Sequence, residues 1–385
     1  MWFRRLVKTG LATLMYRTAT DGLIGRLQAD SRVPLVLGYH RVVEDFRTAA
    51  ARTIPAMLIS RRMLERHLDW LGRRYRFVAL DELGPRLASG RPFRRPVVAI
   101  TFDDGYRDVY EHALPLLRAR GIPAAIFVAT DFVAQGTPLT HDRLYLLLGL
   151  ALGAERVHPL LREALAPDPL VVPGRPEARK AAAAHLTSVL LGRLNRASLD
   201  RLVAALEQEL GVSGEVTSIA APLTWAMLRE MQHGGFTVGC HTHTHAVLPT
   251  ESPQQVLLEV RRSRETLEAA LGTKVEHFAY PDGQFNRYVV DAVYDAGIRY
   301  AYTTCHHRDA RHPLLTIPRR LLWEQSCLDP LGDFSPAVMS GVVRGAFGFM
   351  EPCTENHGIT APPLAGGTSA GSDHAGRRGV AVSRL

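Results

Sequence analysis

The chain has 385 residues, 46% of them hydrophobic, and a formal net charge of +8. This length can bury a large core, so we expect one α/β domain with additions rather than several small domains. The charge comes from dispersed arginines, which excludes a nucleic-acid-binding stripe and leaves a weak preference for anionic polymers or membranes. Cys240, Cys305, Cys327 and Cys353 are widely spaced, which excludes a disulfide framework and a thiolate zinc site and fits a reducing compartment.

Basic residues precede an apolar stretch at the N-terminus, an order that secretory signals share. Lys8, Gly10 and Arg17 interrupt this stretch, and no small-x-small cleavage site follows it. For residues 1–30 we therefore predict an amphipathic segment that lies on the domain or, as a peripheral association, on a membrane. We expect a cytoplasmic protein, at the inner face of the membrane if it is attached, rather than a secreted or periplasmic one.

The first elements alternate between strand and helix. Residues 34–38 form a short apolar strand that leads to His40, and Ser60 caps a helix whose apolar residues recur at helical spacing. Residues 77–80 are predicted to be the second strand. A basic, proline-bounded loop at 91–96 then leads to the central strand.

The central strand delivers two carboxylates at its C-terminal end. Six residues, Val97–Phe102, form a continuous apolar or β-branched run that leads directly into Asp103 and Asp104. A helical pattern follows and stops at Gly121, and residues 124–130 are predicted to be the next strand. Adjacent carboxylates are costly to ionise together, so a cation or a proton must separate their roles. A solvated turn is the alternative.

Residues 131–222 interrupt the alternation of strands and helices. This segment is rich in Ala and Leu and contains a proline-rich loop at 166–176. It is too long for a simple loop, so we predict a helical insertion near the strand ends. Two roles remain open for it: shaping or capping the site, or plain scaffolding.

Three histidines follow the short strand predicted at residues 236–238. His241, His243 and His245 stand at alternate positions, and imidazole is the commonest protein ligand for metals. In a strand all three would share a face, whereas a helical turn would pair His241 with His245, so spacing leaves the ligand pair open. An exposed loop that binds metal adventitiously is the alternative.

The rest of the chain repeats the strand and helix pattern. The predicted elements are a helix from Thr224, a helix from Ser252 to Gly272, a strand at 275–280, a helix from Asn286 to Gly297, a strand at 298–304 and a partial strand at 314–322. Candidate chemistry at the C-terminal ends of strands argues for a barrel. We predict a catalytic domain at 31–335 and a largely disordered C-terminal extension at 336–385.

Three motifs together resemble a known family. TFDDG, the later HTHTH, and FAYPDG at residues 278–283 resemble the polysaccharide deacetylases, or carbohydrate esterase family four, which share the nodulation-type chitooligosaccharide deacetylase homology domain. The resemblance covers roughly residues 35–322. It implies an α/β fold, a distorted, incomplete (β/α) barrel of about seven strands, here with a helical insertion. The FAYP-x-G form is closest to the branch of exopolysaccharide and poly-N-acetylglucosamine deacetylases.

The resemblance assigns roles to individual residues. It implies that Asp103 is the catalytic base and that Asp104, His241 and His245 bind a divalent metal ion, most simply Zn²⁺. The backbone amide of Asp282 is expected to donate to the anionic tetrahedral intermediate.

Two departures from the family pattern concern the base and the acid. Ala279 stands where an arginine would orient the base, and Arg319 or Arg320 could replace that arginine, with ordinary surface charge as the alternative. The stretch Tyr39-His40-Arg41-Val42 resembles the N-terminal motif of the biofilm-type deacetylases, in which the barrel is circularly permuted and the acid comes from the front. We predict that His40 is the general acid; a buried structural histidine is the alternative.

The expected function is that of a metal-dependent hydrolase. It would remove acetyl groups, in the first place N-acetyl groups of amino sugars, from a polysaccharide or a lipid-linked saccharide. One alternative is a catalytically inactive carbohydrate-binding or assembly protein. The other is a C–N hydrolase that acts on a small cyclic amide. Activity on an acetylated glucosamine oligomer separates the three.

Overall fold

The computed structural model describes residues 2–18, 34–136, 138–154, 158–166, 174–212, 220–346 and 357. The strands are β1 Leu35–Tyr39, β2 Arg41–Val43, β3 Leu58–Ser60, β4 Arg76–Phe77, β5 Val97–Phe102, β6 Ala124–Val128, β7 Phe236–Cys240, β8 His277–Ala279, β9 Tyr300–Thr303, β10 Ile317–Pro318 and β11 Arg320–Leu321.

The helices surround the sheet or belong to the insertion. They are α1 Trp2–Arg17, α2 Phe46–Ala50, α3 Arg61–Gly72, α4 Leu80–Ala88, α5 Leu114–Ala119, α6 Thr130–Gln135, α7 Thr140–Gly153, α8 Pro159–Leu165, α9 Pro176–Arg193, α10 Arg196–Leu210, α11 Trp225–His233, α12 Pro253–Leu271, α13 Arg287–Asp295 and α14 Pro336–Val343. One π-helical turn, Val109–Ala113, precedes α5. No helix in these described ranges is long and apolar enough to cross a bilayer.

A parallel sheet forms the centre of the molecule. Its order is β10-β9-β8-β7-β6-β5-β1-β11, with β4 paired to β5. β10 pairs with β9 and β11 pairs with β1, both in parallel. Because these two strands are neighbours in sequence, one short segment nearly closes the sheet into a ring. The distorted (β/α) barrel is thus confirmed, and the segment predicted as one partial strand forms two of its strands.

Side chains along each strand alternate between the inside of the barrel and the outer helices. On β5, Val97 and Ala99 belong to the inner apolar cluster, whereas Val98 and Ile100 belong to the cluster beneath the helices. A residue that follows a strand in the inner register therefore points to the barrel mouth. Asp103 stands in this register.

The second predicted strand is the main error in the element assignment. Only Arg76–Phe77 pairs with the sheet, and Leu80 already begins helix α4. Leu80 and Leu83 are buried one helical turn apart and acidic residues occupy the first turn, so amphipathic spacing and favourable helix-dipole charges outweigh the short apolar run.

The other elements differ from prediction mainly at their ends. The strands predicted at 124–130, 275–280 and 298–304 are all shorter than expected. The helix starts are confirmed, because Ser60, Thr224, Ser252 and Asn286 each accept a hydrogen bond from a first-turn backbone amide.

The insertion forms a helical layer with its own apolar core. Aliphatic side chains of α7, α8, α9 and α10 pack together, separate from the clusters of the barrel. Typical members are Leu148, Leu190 and Leu202, each at most 2% exposed. The helical character predicted for residues 131–222 is therefore observed in the described parts of this segment.

The two terminal helices pack against each other. Ala12 of α1 is buried with Ala337 and Val338 of α14. Met339 and Val343 of α14 extend this packing into the cluster beneath the barrel helices. The domain boundaries remain predictions, and the extension beyond residue 346, except His357, lies outside the described residues.

Candidate active site and metal centre

The predicted site residues meet at the C-terminal mouth of the barrel. His40, Asp103 and His241 directly follow β1, β5 and β7 in the inner register. Parallel strands bring their carboxyl ends to one edge of the sheet, so residues far apart in sequence become neighbours. The structure thus brings together the residues singled out from sequence.

Three electron-rich side chains converge on one point. Asp104 Oδ1 lies 3.3 Å from His241 Nε2 and 3.1 Å from His245 Nε2. One ligand atom from each of the three residues lies within 4.8 Å of the other two. Both Asp104 oxygens are buried, and in the described part of the chain neither makes a hydrogen bond of acceptable geometry. A buried carboxylate in this state calls for a cation, so the residues fit a divalent metal ion.

The surroundings of Asp104 favour its ionised form. Burial opposes ionisation of Asp104, yet His241 and His245 hold its pKa well below the ordinary value. His241 Nδ1 lies 2.8 Å from the Ala279 carbonyl oxygen and donates to it, which leaves Nε2 as the electron-pair donor. Such a second partner orients a metal-binding imidazole.

His243 points away from this centre. Its Nδ1 lies 2.8 Å from Thr130 Oγ1, and its Nε2 lies 3.5 Å from Asp131 Oδ1. Glu259, 2% exposed, accepts hydrogen bonds from the backbone amides of His243 and Thr244 at 2.9 and 2.8 Å. Of the two pairings that the spacing left open, the structure therefore favours His241 with His245.

Asp103 is oriented by an arginine from the last sheet segment. Arg319 Nη1 donates to Asp103 Oδ1 at 2.7 Å and Nη2 donates to Oδ2 at 2.5 Å. Both side chains are nearly fully buried. Burial alone would raise the pKa of Asp103, but Arg319, His241 and His40 together hold it below its ordinary value. Between the two arginines left open by the sequence, the structure selects Arg319.

His40 and Asp282 complete the rim of the site. His40 Nε2 lies 4.0 Å from Asp103 Oδ2, and the His40 side chain is 19% exposed. Asp282 follows β8 in a short turn, and it is close enough to His40 and His245 for their charges to interact. Its backbone amide has no hydrogen-bond acceptor among the described residues, so it is free to donate to a ligand.

Backbone strain is concentrated at this site. Among the described residues, four non-glycine residues have positive φ: Asp104 (74°), Thr242 (64°), His245 (61°) and Asp282 (56°). All four lie in or beside the cluster. Such conformations are unfavourable for residues with a Cβ and persist where the surroundings enforce them, often at functional sites.

The comparisons with known proteins agree with this geometry. The family profile described as polysaccharide deacetylase matches residues 90–163 and 180–301, just over half of the chain. The chain belongs to the polysaccharide deacetylase family. The matched segments contain Asp103, Asp104, His241, His245 and Asp282, whereas His40 and Arg319 lie outside them.

Individual relatives of this polysaccharide deacetylase family member are distant. YxkH of Bacillus subtilis (strain 168), assigned to the polysaccharide deacetylases, is 29% identical over 90 residues, which are 23% of this chain and 32% of YxkH. The match thus spans about a third of that relative.

The solved structure of PplD shows the same fold at low sequence identity. The deacetylase PplD of Streptococcus pyogenes, solved in complex with acetate, has a TM-score of 0.50 and 18% identity, covering 78% of this chain and 96% of PplD. IcaB from Ammonifex degensii has a TM-score of 0.49 and 20% identity, covering 82% of this chain and 98% of IcaB.

A polar cluster that was not predicted from the sequence lies beside the site. Tyr106 Oη donates to Asp142 Oδ2 at 2.7 Å and lies 2.9 Å from His141 Nε2. Burial lowers the pKa of His141 to about 4, so this imidazole is neutral near pH 7. The signal available in sequence was the polar run from Thr140 to Arg143, directly before the long apolar run of the insertion.

Proposed function

We propose that this chain is a metal-dependent deacetylase that hydrolyses N-acetyl groups of amino sugars in a polysaccharide or a lipid-linked saccharide. The observation that carries the proposal is the juxtaposition of two unlike carboxylates. Asp103 is paired with Arg319, whereas the carboxylate of the neighbouring Asp104 has no hydrogen-bond partner among the described residues and faces two imidazole nitrogens. This arrangement separates a base from a metal ligand.

Asp104, His241 and His245 would hold the ion. A divalent ion with three protein ligands, most simply Zn²⁺, keeps positions open for exchange, polarises a bound carbonyl and makes water more acidic. The remaining chemistry belongs to side chains and backbone groups of this chain.

Asp103 would act as the general base. Its lowered pKa keeps it ionised near pH 7, and the two bonds from Arg319 fix the plane of the carboxylate. It can take a proton from the water that attacks the acetyl carbonyl carbon. The free amide of Asp282 would donate to the oxyanion that forms.

His40 would act as the general acid. Its Nε2 lies 4.0 Å from Asp103 Oδ2, and it shares the rim of the site with Asp282. When the C–N bond breaks, the leaving amine needs a proton, which an imidazolium can donate. The products are acetate and a free amino sugar.

Hydrolysis assays test this function. Release of acetate and of free amine is measured with N-acetylglucosamine oligomers, and turnover of a small cyclic amide is measured for comparison. We expect equal amounts of acetate and amine from the oligomer, no turnover of the cyclic amide, and no turnover by Asp103→Asn. Oligomer binding without acetate release by the wild-type chain would instead support the inactive binding protein, and turnover of the cyclic amide would support the other hydrolase class.

We also propose that the enzyme works at the cytoplasmic face of the membrane. The three cysteines in the described ranges, Cys240, Cys305 and Cys327, form no disulfide with one another, which fits a reducing compartment. Helix α1 contains no acidic residue among its 16 residues, and Leu14 is 62% exposed, which fits contact with an anionic surface. Protection of the chain from protease in intact cells is expected; export with a cleaved N-terminus would contradict this.

A further inference from the structure

The insertion begins with two buried ionisable side chains. His141 and Asp142, each 5% exposed, lie in the first turn of α7, whereas the apolar cluster of the insertion consists of aliphatic residues, alanines and Tyr145. Burial of such groups is costly unless they are hydrogen-bonded. Their position at the edge of the insertion that faces the barrel therefore suggests a role beyond packing.

Tyr106 fixes both side chains to the turn that carries Asp104. Because Tyr106 Oη donates to Asp142 Oδ2, it accepts from His141 Nε2–H. Tyr106 is fully buried, and the Arg41 guanidinium packs over its ring at 4.8 Å from the centroid. The imidazole of His141 thus has little freedom to rotate.

His141 in turn packs against a metal ligand. Its ring centroid lies 4.9 Å from that of His245, with the planes at 62°. The His241 ring also packs against His245, at 4.8 Å and 79°. The Ala279 carbonyl holds His241 by a hydrogen bond, but within the described ranges no comparable bond to the His245 ring is found. Packing against the two neighbouring rings takes its place.

A second contact ties the insertion to the same loop. The Arg196 side chain, at the start of α10, donates to the Thr244 carbonyl oxygen. The Arg196 backbone amide donates to Glu251 Oε1 at 2.6 Å. The insertion therefore contacts the His245 loop both at the ring of the ligand and at the backbone of the preceding residue.

We infer that His141 is a positioning residue that orients the imidazole of His245, and that the insertion is consequently a working part of the metal centre. This inference rests on the proposed metal site. It assigns to His141 the function that the Ala279 carbonyl has for His241. Loss of a hydrogen-bonded second partner typically weakens metal binding about 10- to 100-fold, and we take this range as the scale for loss of the ring contact with His141.

Metal affinity of the full chain tests this inference. The chelator-stripped protein is titrated with Zn²⁺ in competition with a chromophoric chelator, and with Co²⁺, whose visible spectrum reports ligand geometry. The variants are His141→Ala, Tyr106→Phe and the double variant. The control is His67→Ala, which removes another buried imidazole from a tyrosine hydroxyl, that of Tyr39, outside the cluster.

We expect His141→Ala to weaken Zn²⁺ binding about 10- to 100-fold and to alter the Co²⁺ spectrum. Tyr106→Phe should have a smaller effect in the same direction, and the double variant should be no worse than His141→Ala because both changes act on one ring. His67→Ala should lower stability alone. If His141→Ala does not fold, Tyr106→Phe, which removes one oxygen atom, carries the test.

Unchanged affinity and spectrum in the His141 and Tyr106 variants would overturn the inference while the proposed metal site stands. Equal losses in His67→Ala would also overturn it, since general loosening would then explain the effect. A wild-type chain that binds neither ion would overturn the metal site itself, and the inference with it.

Discussion

Two adjacent carboxylates have opposite surroundings, and this difference defines the chemistry of the site. Asp103 receives two hydrogen bonds from Arg319, which satisfy it as a stable carboxylate. Asp104 is equally buried, but what faces it are the Nε2 atoms of His241 and His245, at 3.3 and 3.1 Å from Oδ1. Of the two carboxylates, only that of Asp104 lacks a hydrogen-bond donor among the described residues, so its oxygens remain available to bind a cation. Because consecutive residues cannot share one environment in an extended strand, the positive φ of Asp104 is what turns its carboxylate toward the histidines.

Asn substitutions should separate the two carboxylates. Asp103→Asn should retain about one metal ion per chain but abolish turnover, because the base is lost and the ligands are kept. Asp104→Asn should lose both. His243→Ala, which removes the histidine that points away, should keep a normal metal content. Metal analysis together with acetate release checks this, and equal metal loss in both Asn variants would show that the division of roles is wrong.

Substrates with different leaving groups should reveal the acid. His40→Ala should keep its metal and fold but lower kcat strongly on N-acetyl substrates, because an amine must be protonated to leave. The loss on an activated aryl acetate should be much smaller, since an aryl oxide leaves without a proton. Steady-state kinetics on both substrates provides the measurement; equal losses would refute the role of His40.

At the scale of elements, the site is built from strand ends and from the tight turns that follow them. Gly283 shows that such a turn restricts the residue type. Its φ is 68°, and its carbonyl accepts a hydrogen bond from Thr303 Oγ1 at 2.6 Å. An added Cβ would lie 2.8 Å from the Thr304 backbone nitrogen. The amide of Asp282 therefore keeps its direction only while residue 283 is glycine.

Gly283→Ala should destabilise the fold and also impair catalysis. We expect a loss of about 1–3 kcal/mol from positive φ and overpacking, and a fall in kcat because the Asp282 amide moves. Gly136→Ala is the matched control, since Gly136 also has positive φ (70°) but nothing within 4 Å of an added Cβ. Chemical denaturation and acetate release test both variants; a Gly283→Ala enzyme with wild-type kcat would show that the turn does not position the oxyanion donor.

The elements also explain what the sequence could predict. Helix starts and the long strand β5 were predictable because caps and periodicity are local signals. The pairing of segment 317–321 with both β9 and β1 was not, because two-residue strands carry no periodicity. Arg319 could therefore be named only together with Arg320. His141 was missed for a related reason: its partners, Tyr106 and His245, lie far away in sequence.

At the scale of the whole molecule, the three largest apolar clusters of the described residues support one catalytic edge. One fills the barrel, one lies beneath the outer helices, and one belongs to the insertion. Polar groups buried at the junctions, Arg319 at the sheet closure and His141 at the insertion, connect these cores to the site. Activity and global stability should therefore share determinants, and buried histidines make that stability depend on pH.

His67 provides a measurable case of this pH dependence. It is fully buried on α3, with Nδ1 3.2 Å from Tyr39 Oη and its ring 5.6 Å from that of Phe334. Burial lowers the pKa of His67 to about 3, whereas the unfolded chain titrates near 6.5. Between these values the unfolded state binds one proton more than the native state. The contribution of neutral, buried His67 to the free energy of unfolding is thus fully present above about pH 6.5 and is lost as the pH falls toward 3.

Replacement of His67 should therefore flatten the acid limb of the stability curve. One proton corresponds to a slope of about 1.4 kcal/mol per pH unit, so between pH 4 and 6 the free energy of unfolding of His67→Asn should fall less steeply than that of wild type by about this amount. The Asn side chain places a polar atom near the position of His67 Nδ1, where it can pair with Tyr39. Because Asn does not titrate, the loss of packing caused by the substitution should be the same at every pH. Exposed His185, replaced by Asn, should leave the slope unchanged. Denaturant titrations over this pH range measure the slopes, and parallel curves for wild type and His67→Asn would mean that His67 is protonated in the native state.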